Sequence, residues 1–371
     1  MRILFVGGSD GLPAGLLELV SGMDARWDIT HVEDGGAAMA LAAESPQDVV
    51  VVAPTLADMS AAMLLGQIRT LRPETSRIAL IGAQPPARVL SLAHRFLPLP
   101  VDDAQLLEAI GSLQELRDLL DDPALRTCIG RIERLPPPPQ TYLALTHALE
   151  AEDATGAADI ARLIGRDPAI AAKVLQLCNS AYYAAGRTIA DLRTAVTRLG
   201  LSTMRDLVLA SEVFAQPGRI DVDRHALQQR ALHASQLARR LLPDSSAELG
   251  ATAALLADIG LLLPGVRDPH SEVVATGDDP RSDAPGHIEA GAYLLGLWGL
   301  PMPIIEAVAF QRDPARAGTR GFWIAGAVHV ATSLAGDLPL REDYLARVGV
   351  LERLEDWRAW ALSAAQASAA H

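Results

Sequence analysis

DPAIAAKVLQLCNSAYY, residues 167–183, places apolar side chains at Ile170, Val174, Leu175 and Leu177, three or four positions apart, so that one face of a helix is apolar. Asp167 supplies an N-cap and Pro168 fits the first helical position, so the helix is expected to begin there. TAVTRLG, residues 194–200, predicts a second helical element. The same period continues outward from Pro139 to His371, as at Ile160, Leu163 and Ile164, where Asp153 or Thr155 would cap GAADIARLI. This part of the chain is expected to be all-α.

Upstream the period changes. Apolar runs at Ile3–Val6, Val49–Ala53, Ile78–Ile81 and Phe96–Leu99 are too short for helices, and amphipathic stretches such as Ala37–Glu44 and Ala61–Leu71 separate them. Strands alternating with helices imply a parallel sheet covered on both faces, a doubly wound α/β domain over residues 1–119. Residues 120–138 read as a helical and Pro-rich connector: Asp121 or Asp122 can cap a helix with Pro123 in its first turn, and LPPPP at Leu135–Pro139 is a stiff connector or a polyproline ligand. No flexible Gly/Ser linker intervenes, which favours helices packed end to end. Residues 139–371 form the second expected domain.

Composition narrows the function. The 371 residues are half hydrophobic, enough for two cores. The net charge of −13 is spread evenly, with 14 acids and 8 Arg in residues 1–117 and 31 acids against 24 basic residues beyond, so no nucleic-acid face is expected. Cys128 and Cys178 are isolated, which argues against a disulfide framework or zinc site and fits a reducing cytoplasm. MRILFVGG reads as a strand and not a signal peptide, and no uninterrupted apolar run approaches the roughly 18 residues of a bilayer span. A soluble, cytoplasmic protein without membrane insertion is expected. One basic island stands out: residues 155–210 carry seven basic residues against four acids.

The helix at 167–183 with its NSA close at Asn179–Ala181, followed by TAVTRLG, resembles the N-terminal lobe of an HDOD domain, the non-catalytic signalling relative of the HD metal-dependent phosphohydrolases. The Leu-Pro turn at 135–139 before QTYLALTHALE and the WGLP turn at Trp298–Pro301 are similar too. The family's pattern gives Asn179 and Ser180 a helix-closing role. An active HD enzyme gathers His, a His-Asp pair, further His and a final Asp around divalent metal, which polarises phosphate and activates water. The resemblance puts His233, Ala257 and Asp258, His287, Gln311, Arg312 and Thr332 at those positions. Three candidate ligands from seven positions are not expected to hold a catalytic metal. His233 and His287 then read as polar core or helix-start residues, Asp258 as an ion-pair or cap residue, and His329 as a core histidine.

Residues 1–118 resemble a response-regulator receiver domain, with PVDDAQLLEAI at Pro100–Ile110 similar to its last turn and helix, which implies a five-stranded sheet. A working receiver phosphorylates an aspartate after the third strand, holds Mg²⁺ with an acidic pair after the first, and contacts the phosphoryl group through a hydroxyl and a lysine. Here the matching positions are Ala53, Gly7 and Gly8, Gly82, and Leu99. Asp48 and Asp58 are off the acceptor position, and VGGSDG lacks the order of a dinucleotide loop. A pseudo-receiver is expected.

Together the resemblances imply a bacterial signal-transduction adaptor, not an enzyme and without metal or cofactor, that contacts a sensor kinase, a diguanylate cyclase or another regulator, or a second copy of itself as a homodimer. Its candidate surfaces are the empty phosphoacceptor face and the group Arg162, Arg166, Lys173, Asn179, Ser180, Arg187, Arg193, Arg198 and Arg205. The alternatives are a cyclic di-GMP sensor using those arginines and a residual metal-dependent phosphohydrolase using His233, Asp258 and His287.

Overall fold

Runs with no polar position to alternate must be buried on both faces, and RILFV and VVVV form the strands β1 (Arg2–Val6) and β3 (Val49–Val52). They are joined by β2 (Asp28–Val32), β4 (Ser76–Ile81) and β5 (Arg95–Pro98) in a five-stranded parallel sheet of order β2-β1-β3-β4-β5. The order reverses between β1 and β3, as in doubly wound folds that place a site at that crevice. This computed structural model describes residues 1–8, 27–82, 86–101, 103–132, 140–150, 156–165, 170–171, 174, 191–213, 223–267, 284–318 and 321–369. The helices α1 (Gly35–Glu44), α2 (Ala61–Leu71) and α3 (Ala87–Leu92) cover one face, where Ala38, Ala42, Leu64, Leu65 and Ile68 pack on Leu4, Val6, Val50 and Val52. The helices α4 (Asp103–Leu119) and α5 (Pro123–Arg131) follow. Asp122 caps α5 by accepting the N–H groups of Ala124 and Leu125, as its position before Pro123 anticipates.

The chain divides into two compact units, Met1–Pro137 with Leu263–Met302, and Pro138–Leu262 with Pro303–His371. The second unit is helical: α6 (Gln140–Glu150), α7 (Ala157–Ile164), α8 (Leu192–Val213), α9 (Arg224–Leu241) and α10 (Asp244–Leu256) precede the excursion to the first unit. Gly200, at φ 80°, breaks α8 into two helices where TAVTRLG ends. Gly156, rather than Asp153 or Thr155, is the N-cap of α7; those two, the LPPPP run and most of the 167–183 helix lie outside the described residues. The window Asp244–Leu262 is apolar and long enough to span a membrane by composition, but 78% of it is buried, so it is a core helix.

The segment 263–302 departs from the expected boundaries, which assigned it to the all-α domain. Its helix α11 (His287–Leu297) is buried almost all round and packs on α4 and α5 of the first unit. Arg95, at the start of β5, anchors its end: Nε donates to Leu297 O at 3.1 Å and Nη2 to Gly296 O at 2.6 Å, while Nη1 donates to Ala109 O and Ser112 Oγ, both at 2.7 Å. The last carbonyls of a buried helix need donors, and this guanidinium supplies them. Burial pulls the Arg95 pKa down to about 10, still well above neutral pH. After α11, Gly299 at φ 81° makes the turn of WGLP, and the second unit resumes with α12 (Met302–Ala309), α13 (Ile324–Gly336), α14 (Glu342–Arg347) and α15 (Leu354–Ala369).

Two contacts in the first unit make testable demands. A Cβ at Gly130 would run into the backbone carbonyl of Pro73. Because backbone cannot yield as a side chain does, Gly130→Ala should cost about 2–3 kcal/mol in urea unfolding. Asp58 accepts the Gly35 and Gly36 N–H groups, each at 2.8 Å, and these bonds, Gly35 first, hold its carboxyl below the usual value of 3.8. With the folded value depressed, this contribution is present above pH 3.8 and lost as pH falls through the folded pKa. Asp58→Ala should lower the urea midpoint at neutral pH, with the gap from wild type closing in acid; a gap independent of pH would show that the ionised carboxylate does not hold these N–H groups.

Candidate functional site

At the crevice of the sheet, the backbone is ordered and the chemistry is missing. Gly7 follows β1 at φ 143°, donates its N–H to Val32 O at 3.0 Å, and accepts at its own carbonyl from the His31 ring at 2.7 Å. Ala53 follows β3, with its N–H on Val6 O at 2.9 Å. The two residues touch so closely that a Cβ on Gly7 would strike the Ala53 methyl. Gly8 stands beside them, Gly82 follows β4, and Leu99 follows β5 with its N–H on Ile81 O at 2.9 Å and a cis peptide to Pro100. The positions offer no carboxylate, hydroxyl or ammonium side chain. Asp58 accepts the first N–H groups of α1, whose N-cap is Asp34, and Asp48 is engaged by the Arg2 N–H at 2.8 Å and by Arg117 Nη2 at 2.6 Å.

The basic island is only partly described. Arg166, Lys173, Asn179, Ser180 and Arg187 lie outside the described residues. Arg193 and Arg198 are exposed on α8, and Arg162 is exposed and paired with Asp159 at 2.8 Å. Arg205 does not belong to a free surface as expected: its side chain is 18% exposed, lies 3.7 Å from Glu248 and sits over the Tyr142 ring. The reason is a charge network that sequence reading missed. Asp206, 2% exposed, accepts from Arg239 Nη1 at 2.9 Å, Arg239 Nη2 at 3.2 Å and Ser235 Oγ at 2.9 Å, and Glu248 accepts from the same Arg239. A buried carboxylate demands such matching, and Arg205 is drawn in with it.

The seven positions that the HD resemblance groups together are divided between the units. His287 opens α11 in the first; the other six belong to the second. Ala257 and Asp258 form the turn after α10, where Asp258 O accepts the Leu261 N–H at 3.0 Å and Asp258 Oδ2 pairs with Arg230 Nη2 at 3.1 Å. Gln311 is fully buried and donates Nε2 to Ala257 O at 2.6 Å. His329 is a satisfied core residue: its Nε2 accepts the Arg341 N–H at 2.9 Å, which leaves Nδ1–H to donate to Gln311 O at 2.7 Å. Burial keeps its pKa, and that of His233, below the ordinary histidine value. Thr332 Oγ1 donates to Val328 O of its own helix at 2.8 Å.

These residues do not fit a divalent metal. Such a centre needs carboxylates and neutral imidazoles facing a cation. Here the one carboxylate already faces the Arg230 guanidinium, and the charges of Asp258 and Arg230 both act on Arg312, whose own pKa is pulled down chiefly by burial. Among the described residues, no three His, Cys, Asp or Glu side chains are grouped to hold a metal. Arg230 was overlooked in the sequence, although it stands three positions before His233 on α9 and so shares its helix face.

Comparison with known proteins separates the two parts. Residues 135–278 match the HDOD domain family. An uncharacterised protein of Treponema pallidum (strain Nichols) is 28% identical over 204 residues, which is 49% of this chain and 38% of that one, so the chain spans well under half of that relative. A crystal structure of a protein provisionally named a phosphohydrolase, from Shewanella amazonensis SB2B, is 24% identical, covering 67% of this chain and 99% of its own at a TM-score of 0.48. The signal receiver domain of an HD domain-containing protein from Pseudomonas fluorescens Pf-5 is 27% identical, covering 32% of this chain and 88% of its own at a TM-score of 0.28. The chain thus carries an HDOD domain, matched over residues 135–278, after a five-stranded parallel α/β sheet of doubly wound order.

Proposed function

We propose that the protein is a non-catalytic signal-transduction adaptor that works by binding other signalling proteins. The observation that carries this reading is the Arg230–Asp258 pair at 3.1 Å: the carboxylate that a metal centre would use is neutralised by a guanidinium, and Arg312 adds a second positive charge within electrostatic reach. A cation cannot share that place cheaply. The sheet crevice supports the same reading, because a side chain at Gly7 would strike the Ala53 methyl and Gly8 beside it carries no carboxylate for Mg²⁺. An HDOD domain beside a receiver-like fold supports regulatory rather than metabolic work. The partners proposed on this reading are a sensor kinase or a diguanylate cyclase.

Incubation of the full-length protein with acetyl phosphate and Mg²⁺ is expected to leave its intact mass unchanged. Ala53→Asp alone is expected to leave it unchanged as well, since Gly7 and Gly8 offer no ligand for the cation. Cyclic di-GMP with Mn²⁺ is expected to remain intact in its presence. Capture of the tagged protein from its native lysate should recover a kinase or a cyclic-dinucleotide enzyme. Stoichiometric phosphorylation, or turnover of the dinucleotide that Asp258→Asn abolishes, would overturn the proposal.

A further inference from the structure

The second unit gathers unmet polar atoms in one place. Near Asp258, Arg230 Nε, Arg312 Nη1 and Gln311 Oε1 are buried and have no hydrogen-bond partner among the described residues. Three segments bring them together: α9 carries Arg230, the turn after α10 carries Asp258, and the turn after α12 carries Gln311 and Arg312, tied to the preceding turn through Ala257 O. Buried donors in folded proteins nearly always have partners, and an unmet guanidinium N–H is more costly than an unmet amide. Solvent reaches the edge of this group, for the Arg230 and Asp258 side chains are 33% and 15% exposed, while the three unmet atoms lie beneath that edge.

Charge decides what would satisfy it. Arg230 pairs with Asp258, and Arg312 lies within electrostatic reach of both, so among the described residues two guanidinium groups stand against one carboxylate. Burial lowers the His329 pKa and its Nε2 accepts the Arg341 N–H, so the ring adds no positive charge, and Arg341 and Asp313 pair with each other at 3.3 Å. The unmet donors therefore call for an oxygen acceptor with negative charge.

We propose that Arg230 and Arg312 form a binding site for one phosphoryl oxyanion of a small soluble ligand. Arg230 Nε and Arg312 Nη1 are its donors, and the planar guanidinium suits two adjacent phosphoryl oxygens. Asp258 is the competing acceptor that keeps binding reversible. Gln311 Oε1 accepts from a protonated ligand oxygen or a water. The site gives the adaptor an input, and it rests on the reading that no metal occupies this position.

Calorimetric titration of the full-length protein with orthophosphate, guanosine monophosphate and cyclic di-GMP tests it, and the tightest of the three tells free phosphate from a nucleotide phosphate. Saturable binding that weakens with salt is expected. Arg312→Gln should weaken it by roughly tenfold or more, the loss of a charged hydrogen bond. Asp258→Asn should strengthen it, because that change frees Arg230 and removes the opposing charge. Melting curves establish that both variants fold, and if Arg312→Gln does not, the direction of the Asp258→Asn change decides alone. EDTA should change nothing. No saturable binding of any probe, equal affinity in wild type and Asp258→Asn, or binding abolished by EDTA would overturn the proposal, the last by showing that a metal holds the phosphate.

Discussion

A guanidinium taken out of water must have its N–H groups met by oxygen, and much of this structure is organised around that requirement. Arg95 spends four hydrogen bonds on two helices of the first unit. Arg77, 1% exposed, donates Nε to Leu92 O at 2.7 Å and lies against His94, which burial keeps neutral. In the second unit Arg239 grips the buried Asp206 with two donors. Each of these arginines fixes one element to another, since no single element offers enough acceptors in the right directions. Arg205, Arg230 and Arg312 depart from the pattern, each keeping one buried donor unmet among the described residues. Arg230 and Arg312 differ from Arg205 in standing together about Asp258, and the proposed anion site rests on that pairing.

In the proposed reading, the two units lack receiver and metal-hydrolase chemistry for different physical reasons. At the sheet crevice the loss is steric and compositional: a glycine in a positive-φ conformation abuts an alanine, and the loops around them carry no polar side chain at the positions that would act on a phosphoryl group. At Asp258 the loss is electrostatic, because fixed positive charge stands where a metal would need negative charge. A crevice emptied of reacting groups still offers backbone and shape to a protein partner. A centre filled with arginines offers attraction for an anion. Adaptor and ligand site are therefore compatible roles within one chain.

Legibility followed the range of the interaction. Strands β1, β3 and β4 were visible as short apolar runs because both their faces are buried, and the half-buried edge strand β5 was visible through Phe96 and Leu97. The edge strand β2, DITHV, was not, since its side chains are only half-buried and the adjacent polar Thr30 and His31 break both an apolar run and a strict alternation. The break at Gly200 and the cap at Asp122 are local and could be read. The transfer of 263–302 to the first unit could not, because it depends on contacts such as that of Arg95 with Leu297, 202 positions apart. The missing histidine at Ala257 was plain in the sequence. That Arg230 would turn to Asp258, or that Arg205 would turn to Glu248 rather than to a surface, depends on side-chain direction, which a count of charges does not contain.

The most direct test of the account is the affinity of the full-length protein for Mn²⁺, measured by electron paramagnetic resonance on wild type and Asp258→Asn. Guanidinium occupancy around Asp258 predicts no saturable site in either protein. A stoichiometric site in the wild type that Asp258→Asn removes would contradict it, and would return the second unit to metal chemistry.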